Sequence, residues 1–193
     1  MSAAARQPLV WHDERAFSVH GLLDAAECQA LVALAESEGF EAAAVRTTSG
    51  QQAMPQVRNN DRIVLDDPEW VDRLWARLRD LPWPSVDGEL AVGLPSTLRF
   101  YRYGPGQRFK MHKDGPWHER GLSSQWTLLV YLNQDFEGGA TVFKTFNVTP
   151  QTGAALCFRH DTWHEGAAVV SGAKYVLRSD VLYAAPESAG ARA

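Results

Sequence analysis

The sequence predicts an α+β fold that is mostly β, with two early helices packed on a two-sheet β-sandwich or jelly roll. The helical patterns stand before residue 96, and short runs rich in β-branched and aromatic residues follow residue 97. The 193 residues, 45% hydrophobic and 22% charged, suffice for one well-filled core. We therefore expect one domain over residues 1–193, with a helical buttress in 1–95, a jelly-roll core in 96–185 and a frayed tail in 186–193.

The helical predictions depend on start signals. Asp24 and Glu27 form a capping-box pattern before a first helix that ends near Gly39. Asp67 followed by Pro68 gives a second helix an N-cap and a proline at its first position. The apolar stripe of this second helix consists of Trp70, Val71, Leu74 and Leu78.

The segments between and after the helices differ in character. Residues 47–60 are polar and turn-rich, which predicts a long loop that is either disordered or a lid. From residue 97 onward, clusters of Gly, Pro, Asn and Asp separate the predicted strands. These strands are TLRFYRY (97–103), WTLLVYLN (126–133), ATVFKTF (140–146), ALCFR (155–159), AAVV (167–170) and KYVLRSDVLY (174–183).

The composition bears on partners and location. The net charge of −4 argues against a nucleic-acid backbone or an anionic membrane as the main partner. The first ten residues contain one Arg and no apolar core, so no signal peptide is predicted, and no run approaches a membrane span. Cys28 and Cys157 form no CxxC pattern, which fits reduced thiols. We expect a cytoplasmic protein, and no oligomeric state follows from the composition.

The stretch KMHKDGPW contains His112 and Asp114, two residues apart. A strand places residues i and i+2 on the same face, so both side chains would point to one side. A non-haem Fe(II) site uses two histidines and one carboxylate and leaves positions open. Because a single H-x-D pattern also arises by chance, a third ligand is needed to distinguish a metal site from a polar strand end.

Two histidines are candidates for that third ligand, His160 and His164. His164 begins a predicted strand and His160 lies in a turn, so the spacing favours His164 without excluding His160. A site of His112, Asp114 and His164 lacks the thiolates that a structural zinc site usually recruits. A zinc hydrolase with Glu165 as general base fits the same ligands.

The last predicted strand carries Lys174, Arg178 and Asp180 on one face. They indicate either a solvated face, with Arg178 paired to Asp180, or a buried socket for a carboxylate. A hairpin that turns at residues 171–172 would bring Arg178 opposite the His164 region. Lys174 would then lie ~13 Å along the strand, at ~3.3 Å per residue. On the strand 126–133, Thr127 and Tyr131 share a face, so their hydroxyl groups could join such a socket.

Three motifs follow one another between residues 97 and 183: RFYRYGPGQRFKMHKD, LLVYLNQDFEGGATVF and VTPQTGAALCF. His164 and, ten residues later, Lys174 complete the order. The segment resembles the prolyl 4-hydroxylase-like branch of the Fe(II)- and 2-oxoglutarate-dependent dioxygenases. The resemblance implies a double-stranded β-helix (cupin-like jelly-roll) core with buttressing helices. It also implies an oxidoreductase that uses Fe(II), O₂ and 2-oxoglutarate, with ascorbate as a supporting reductant, and releases succinate and CO₂.

The same resemblance implies roles for individual residues. His112, Asp114 and His164 match the iron ligands, and the presence of Asp114, where halogenating relatives carry a small residue, points to hydroxylation. The residues implied for cosubstrate binding are Lys174, Tyr131, Tyr103, Thr127 and Arg178. Lys174 matches the base that binds the 5-carboxylate, whereas Arg178 would share that carboxylate or face the substrate.

The substrate is left open among several classes. The expected reaction is hydroxylation of an unactivated C–H bond in a peptidyl proline or another amino-acid residue. The alternatives are a free amino acid, a small natural product, or a non-catalytic jelly-roll binding module. Phe109 stands where some relatives have Tyr, and the stretch 58–62 has no counterpart in prolyl hydroxylases. The candidate substrate contacts are Arg58, Asn59, Asn60, Arg62 and Trp117.

Overall fold

A computed structural model of the chain describes residues 8–42, 45–47, 50–52 and 56–186. Within this part the helices are α1 (Ala25–Glu38) and α2 (Pro68–Leu78). The strands, in chain order, are β1 (Leu9–Asp13), β2 (Ala16–Val19), β3 (Glu41–Ala42), β4 (Val45–Thr47), β5 (Gly50–Gln52), β6 (Asp61–Asp66), β7 (Leu90–Gly93), β8 (Thr97–Tyr103), β9 (Phe109–His112), β10 (His118–Glu119), β11 (Leu122–Tyr131), β12 (Glu137–Gly138), β13 (Thr141–Phe143), β14 (Asn147–Val148), β15 (Ala155–Arg159), β16 (His164–Gly166), β17 (Val169–Ser171) and β18 (Lys174–Ala184). Neither described helix is long and apolar enough to cross a membrane.

Some expectations lie beyond these ranges. Residues 187–193, nearly all of the predicted frayed tail, are outside the described residues, and so are residues 48, 49 and 53–55 of the predicted loop. The rest of that loop contains part of the short β4–β5 pair, in which Thr47 is opposite Gly50.

Both helices begin where the capping signals predict. The Asp24 carboxylate accepts a hydrogen bond from the Glu27 backbone N–H at 2.8 Å, and Glu27 accepts one from the Asp24 N–H at 3.0 Å. The Asp67 carboxylate accepts from the Trp70 N–H at 3.0 Å, with Pro68 at the start of α2. These bonds satisfy donors that a helix leaves free in its first turn. The predicted helix starts are therefore confirmed.

Most of the strands form two antiparallel sheets that pack face to face. The larger sheet has the order β1-β2-β15-β11-β18-β8-β6-β3, with β10 beside β11 and β7 beside β18. The smaller sheet has the order β14-β13-β16-β9. This arrangement confirms the predicted mostly β, jelly-roll class. Strands β1, β2, β3 and β6 extend the larger sheet from the part of the chain that was predicted as a helical buttress.

The core is divided by the larger sheet. One apolar cluster packs the helices on its outer face and includes the fully buried Leu31, Leu74 and Trp126. The other lies between the sheets and includes Phe143 and Phe158. Neighbouring residues of β8 and β18 alternate between the two clusters, as the two-residue repeat of a strand requires. The larger sheet therefore turns one face to the helices and the other to the smaller sheet.

The predicted hairpin of residues 167–183 is wrong. Strand β17 pairs with β12, whereas β18 pairs with β11 and β8 in the larger sheet. The chain passes between these pairings at Gly172, whose φ is 80°. A Cβ at Gly172 would lie 2.9 Å from the Asp135 carbonyl oxygen, so the turn packs tightly against the segment before β12. The Ser-Gly pair does form a turn, but the strands on its two sides pair with different partners and not with each other.

Candidate metal centre and carboxylate pocket

Two histidines and one carboxylate meet on the inner face of the smaller sheet. His112 ends β9, His164 begins β16, and the two residues are direct partners across these strands. The Asp114 carboxylate is 3.6 Å from His112 Nε2 and 3.7 Å from His164 Nε2. One ligand atom from each residue lies within 4.8 Å of the others. We call these three residues the triad; its donor set and spacing fit one Fe(II)-type ion.

Backbone carbonyls orient both imidazoles. His112 Nδ1 is 2.7 Å from the Lys110 carbonyl oxygen, and His164 Nδ1 is 3.0 Å from that of Thr162. Because a carbonyl only accepts, each ring donates from Nδ1, and this bond leaves Nε2 as the nitrogen that is directed toward the metal position beside Asp114. The Phe109 ring stacks on His112 with centroids 3.5 Å apart and limits its rotation.

The charges of the triad suit a divalent cation. Burial lowers the pKa of His164 to about 4, so its imidazole is neutral near pH 7. Burial alone would raise the pKa of Asp114, but the Arg178 guanidinium and the triad histidines hold it well below the usual range. One carboxylate and a neutral imidazole are thus ready to bind a metal without first losing a proton.

His160 lies behind the triad rather than in it. Its Nε2 is 2.7 Å from the Ser124 hydroxyl and its Nδ1 is 2.9 Å from that of Thr127. Thr127 donates in turn to Asp114 Oδ2 at 2.6 Å, and the Asp114 N–H donates to the His160 carbonyl at 2.9 Å. The geometry therefore groups His164, not His160, with the H-x-D residues. Thr127 holds the Asp114 carboxylate from behind, and its contact with a cosubstrate stays a prediction.

A cleft opens beside the triad. Its wall consists of Tyr101, Tyr103, Phe109, His112, Asp114, Leu129, Thr141, His164, Gly166, Lys174, Val176 and Arg178. Lys174 and Arg178 come from β18 of the larger sheet, whereas His112 and His164 come from the smaller one. A ligand in the cleft would therefore contact both sheets.

Lys174 is a buried cation on the cleft wall. It is 3% exposed, and its ammonium lies 5.3 Å from the ring of Tyr103 and 5.6 Å from that of Tyr131. Its Nζ donates to the Gly139 carbonyl at 2.6 Å, and no carboxylate among the described residues pairs with it. Burial lowers the pKa of Lys174 to about 7. The Tyr131 hydroxyl, bonded to Thr141 at 2.7 Å, fixes one of the two rings.

Arg178 contacts the triad directly. Its Nη2 is 3.0 Å from Asp114 Oδ2 and 3.4 Å from Asp180 Oδ1, and Arg99 forms an ion pair with the other oxygen of Asp180. The alternative of a solvated face is wrong, because Lys174 is 3% exposed and the Arg178 side chain 12%. Arg178 reaches the His164 region because the two sheets face each other, and not through the predicted hairpin.

Tyr101 is a cleft residue that the sequence analysis missed. Burial would raise the pKa of its phenol, but Arg178, Arg58 and Arg99 together lower it to about 7. The available signal was its position two residues before Tyr103 in the strand TLRFYRY, on the same face. In a strand pattern an aromatic residue usually indicates core, so this signal was weak.

The predicted substrate contacts lie in four places. Arg58 is 6% exposed and lies over the rings of Tyr101 and Phe109, and Asn60 is fully buried and accepts from Arg58 Nε at 2.7 Å. Asn59 Oδ1 accepts from the Arg108 backbone N–H at 2.8 Å. Arg62 lies within β6, opposite Tyr101 of β8, and Trp117 donates to Glu119 at 3.2 Å, apart from the cleft wall. Arg58 thus contacts two rings of the cleft wall, and Asn60 holds its guanidinium.

The sequence of this region matches a known family. The sequence model described as the 2OG-Fe(II) oxygenase superfamily matches residues 98–179. A relative from Arabidopsis thaliana, named probable prolyl 4-hydroxylase 8, is 30% identical over 138 residues. That alignment includes 68% of this chain and 45% of the relative. The chain thus spans about half the length of this curated relative.

Solved structures of two prolyl hydroxylases share the fold of this chain. A viral collagen prolyl hydroxylase from Paramecium Bursaria Chlorella virus-1, solved with 2-oxoglutarate, superposes with a TM-score of 0.69 at 22% identity. The superposition covers 88% of this chain and 96% of that one. A Trichoplax adhaerens prolyl hydroxylase, solved with a hypoxia inducible factor peptide, gives 0.67 at 16% identity over 92% and 87% of the two chains. At these identities the likeness is one of fold.

Proposed function

We propose that the jelly-roll core of this chain belongs to the 2OG-Fe(II) oxygenase superfamily and that the protein is a hydroxylase of the prolyl 4-hydroxylase-like branch. It would insert one oxygen atom of O₂ into a C–H bond while 2-oxoglutarate becomes succinate and CO₂. One observation carries the proposal: a two-histidine, one-carboxylate triad shares a cleft with a buried lysine that has no carboxylate partner among the described residues.

His112, Asp114 and His164 would hold the Fe(II). When bound, this ion supplies the oxygen activation that no side chain can provide. The chain's own contribution is to fix the three ligands on paired strands and to exclude water. The nearby ammonium of Lys174 would bind the far carboxylate of 2-oxoglutarate in a place where a charge-assisted hydrogen bond is strong. Arg178 would keep Asp114 ionised and in place.

The hydrolase alternative has less support. It requires Glu165 as a general base, but the Glu165 carboxylate is held by the Arg108 guanidinium at 3.0 Å. It also gives no purpose to the buried Lys174. A binding module without chemistry would need neither the triad nor the pocket. Substitution of Asp114 by Ala should abolish turnover in the enzyme and leave partner binding intact in a module.

The substrate would be a peptide or a small molecule. The Trichoplax adhaerens relative was solved with a peptide, and the Arabidopsis relative is named for proline hydroxylation. For this chain we propose an amino-acid substrate, either a residue within a peptide or a free amino acid. The reacting C–H bond would lie in the cleft beside the triad.

The test is an anaerobic titration of the metal-free protein with Fe(II) and 2-oxoglutarate. Chelated 2-oxoglutarate gives a visible charge-transfer band, which we expect in the wild type and not in His112→Ala. In Lys174→Ala the band should require much more 2-oxoglutarate. His118→Ala is the matched control, because His118 is exposed and belongs to neither the triad nor the cleft wall, and it should keep the band. Absence of the band in folded, iron-loaded wild type would disprove the proposal.

A further inference from the structure

The cations around the cleft are not all neutralised. Arg178 faces both Asp114 and Asp180, and Arg99 forms an ion pair with Asp180. Lys174 and Arg58 have no carboxylate partner within the described parts of the chain. Under the proposed function a carboxylate of 2-oxoglutarate accounts for Lys174. Arg58 remains a second buried cation for which that reaction scheme supplies no anion.

The guanidinium of Arg58 is held but incompletely bonded. Its Cζ lies 4.3 Å from the Tyr101 ring centroid and 4.6 Å from that of Phe109. Its Nε donates to Asn60 Oδ1 at 2.7 Å, whereas Nη2 is shielded from water and has no hydrogen-bond partner among the described residues. A buried charged donor without an acceptor is costly, so the geometry indicates a missing partner.

Arg58 is placed next to the reacting region. The Lys110 N–H donates to the Val57 carbonyl at 2.9 Å and the Asn59 N–H to the Arg108 carbonyl at 3.3 Å, so the segment 57–60 runs along strand β9. Phe109, which packs on the guanidinium, stacks in turn on His112. The cation is thus one aromatic ring beyond a triad histidine and in contact with two residues of the cleft wall, Tyr101 and Phe109.

We propose that Arg58 binds a free carboxylate of the substrate, and that the substrate is therefore a small carboxylic acid such as a free amino acid. A guanidinium pairs with a carboxylate through two parallel hydrogen bonds, which its unbonded Nη2 can begin. An internal residue of a peptide offers only neutral carbonyl groups to this position and would leave the cation uncompensated. The inference rests on the proposed function and selects between its two substrate classes.

The test compares acids with their amides. The anaerobic protein, loaded with Fe(II) and 2-oxoglutarate, is titrated calorimetrically with the common amino acids, with their carboxamides, and with N-acetyl-L-prolinamide as a substitute for an internal residue. We expect an amino acid to bind and its carboxamide to bind about tenfold to hundredfold more weakly, as the loss of a charge-assisted hydrogen bond requires. Binding of no acid, or equal binding of acid and amide, would overturn the proposal.

Variants then locate the carboxylate. Arg58→Met should weaken the acid about tenfold to hundredfold, and Arg58→Lys, which keeps the charge, should weaken it less. Lys144→Met is the control for nonspecific attraction, because its exposed side chain carries the same charge and does not line the cleft. If Arg58→Met instead weakens 2-oxoglutarate in the charge-transfer titration, the anion belongs to the cosubstrate and the inference is wrong.

Failure of this inference can be told apart from failure of the proposed function. If the proposed function is wrong, the wild type gives no charge-transfer band with Fe(II) and 2-oxoglutarate. Thermal unfolding of each variant shows whether it is folded. If Arg58→Met does not fold, the comparison of acid with amide in the wild type and in Arg58→Lys still decides the question.

Discussion

Asp114 is fixed from three directions. Its Oδ2 accepts from Thr127 at 2.6 Å and lies 3.0 Å from the Arg178 guanidinium, while its backbone N–H donates to the His160 carbonyl at 2.9 Å. A metal-binding carboxylate held in this way pays little entropy when the ion binds. The partners of Asp114 therefore matter to metal affinity although they do not touch the metal themselves.

Thr127→Val tests this support at the level of one hydroxyl group. The change keeps the side-chain shape but leaves His160 Nδ1 without its partner and removes one of the two donors to Asp114 Oδ2. We expect a loss of about 1–3 kcal/mol in the free energy of unfolding and metal affinity about 10–100-fold lower. Denaturant titration and Mn(II) binding measure the two effects. The exposed Thr145→Val is the control, and equal metal affinity in both variants would contradict the argument.

We expect the affinity for 2-oxoglutarate to depend on pH, because it depends on the charge of Lys174. Burial lowers the pKa of Lys174 to about 7 in the unliganded protein, so the ammonium is charged below that pH and neutral above it. A bound carboxylate requires the charged form, so binding above pH 7 takes up a proton. We expect the Kd to be constant below about pH 7 and to increase by up to about tenfold per pH unit above it.

Calorimetric titration with 2-oxoglutarate at a series of pH values, in the presence of Mn(II), measures this dependence. Lys174→Arg is the matched control, because an arginine keeps its proton throughout the range. The Kd of that variant should not change with pH above 7. An identical pH profile in both proteins would show that another group titrates.

At the residue scale, sequence patterns were informative where a motif is short and local. His112 and Asp114 were predicted as neighbours on one face of a strand, and the structure brings them together although β9 ends at His112 and Asp114 follows it. The choice between His164 and His160 depended on which of them pairs with β9, a contact between distant parts of the chain. Tyr101 was missed because an aromatic residue in a strand has the same pattern whether it faces a core or a cleft.

A helix or strand was predicted correctly when the residues that determine it lie close to it in the sequence. Each helix start is set by side chains within four residues of it, such as Asp24 with Glu27. Strand pairing depends on partners far along the chain, and the expected 167–183 hairpin failed for that reason. The Ser171-Gly172 signal predicts that the chain changes direction there. It does not predict which strands the segments before and after the turn will pair with.

Gly172→Ala tests whether the turn at residue 172 is sterically constrained. Gly172 has φ 80°, and an added Cβ would lie 2.9 Å from the Asp135 carbonyl oxygen and 3.0 Å from Phe136 Cα. Gly106→Ala is the matched control, since Gly106 has φ 78° but nothing within 4 Å of the added atom. We expect about 1–3 kcal/mol of destabilisation from the backbone conformation in both variants, and a further loss only in Gly172→Ala. Equal unfolding midpoints would show that the contact with residues 135–136 can relax.

For the molecule as a whole, the site lies between its two sheets. The triad histidines belong to the smaller sheet and Lys174 to the larger one, so a metal alone would engage one sheet, whereas a metal with 2-oxoglutarate would engage both. The mostly β class and the buttressing helices were predicted from composition along the chain. The facing of the two sheets, which brings Arg178 to Asp114, depends on three-dimensional packing that no local pattern specifies.

This arrangement leads to a stability prediction for the whole fold. A ligand that binds only the folded state at about 100 times its Kd stabilises by about 2.7 kcal/mol, which corresponds to an increase of about 5–10 °C in Tm for a chain of this size. We expect such an increase with Mn(II) and a second one when 2-oxoglutarate is added. Calorimetric unfolding of the wild type with each ligand and with both measures the two increments.

Two variants distinguish the contributions of the two sheets to these increments in Tm. Lys174→Ala should keep the increment from the metal and lose most of that from 2-oxoglutarate, because only the anchor on β18 is removed. Asp114→Ala should lose the metal increment and, with it, the increment that depends on chelation. If both increments persist in Asp114→Ala, the ligands bind elsewhere and the cleft between the sheets is not their site. If the 2-oxoglutarate increment is unchanged in Lys174→Ala, the larger sheet supplies no anchor, and the cosubstrate depends on the triad alone.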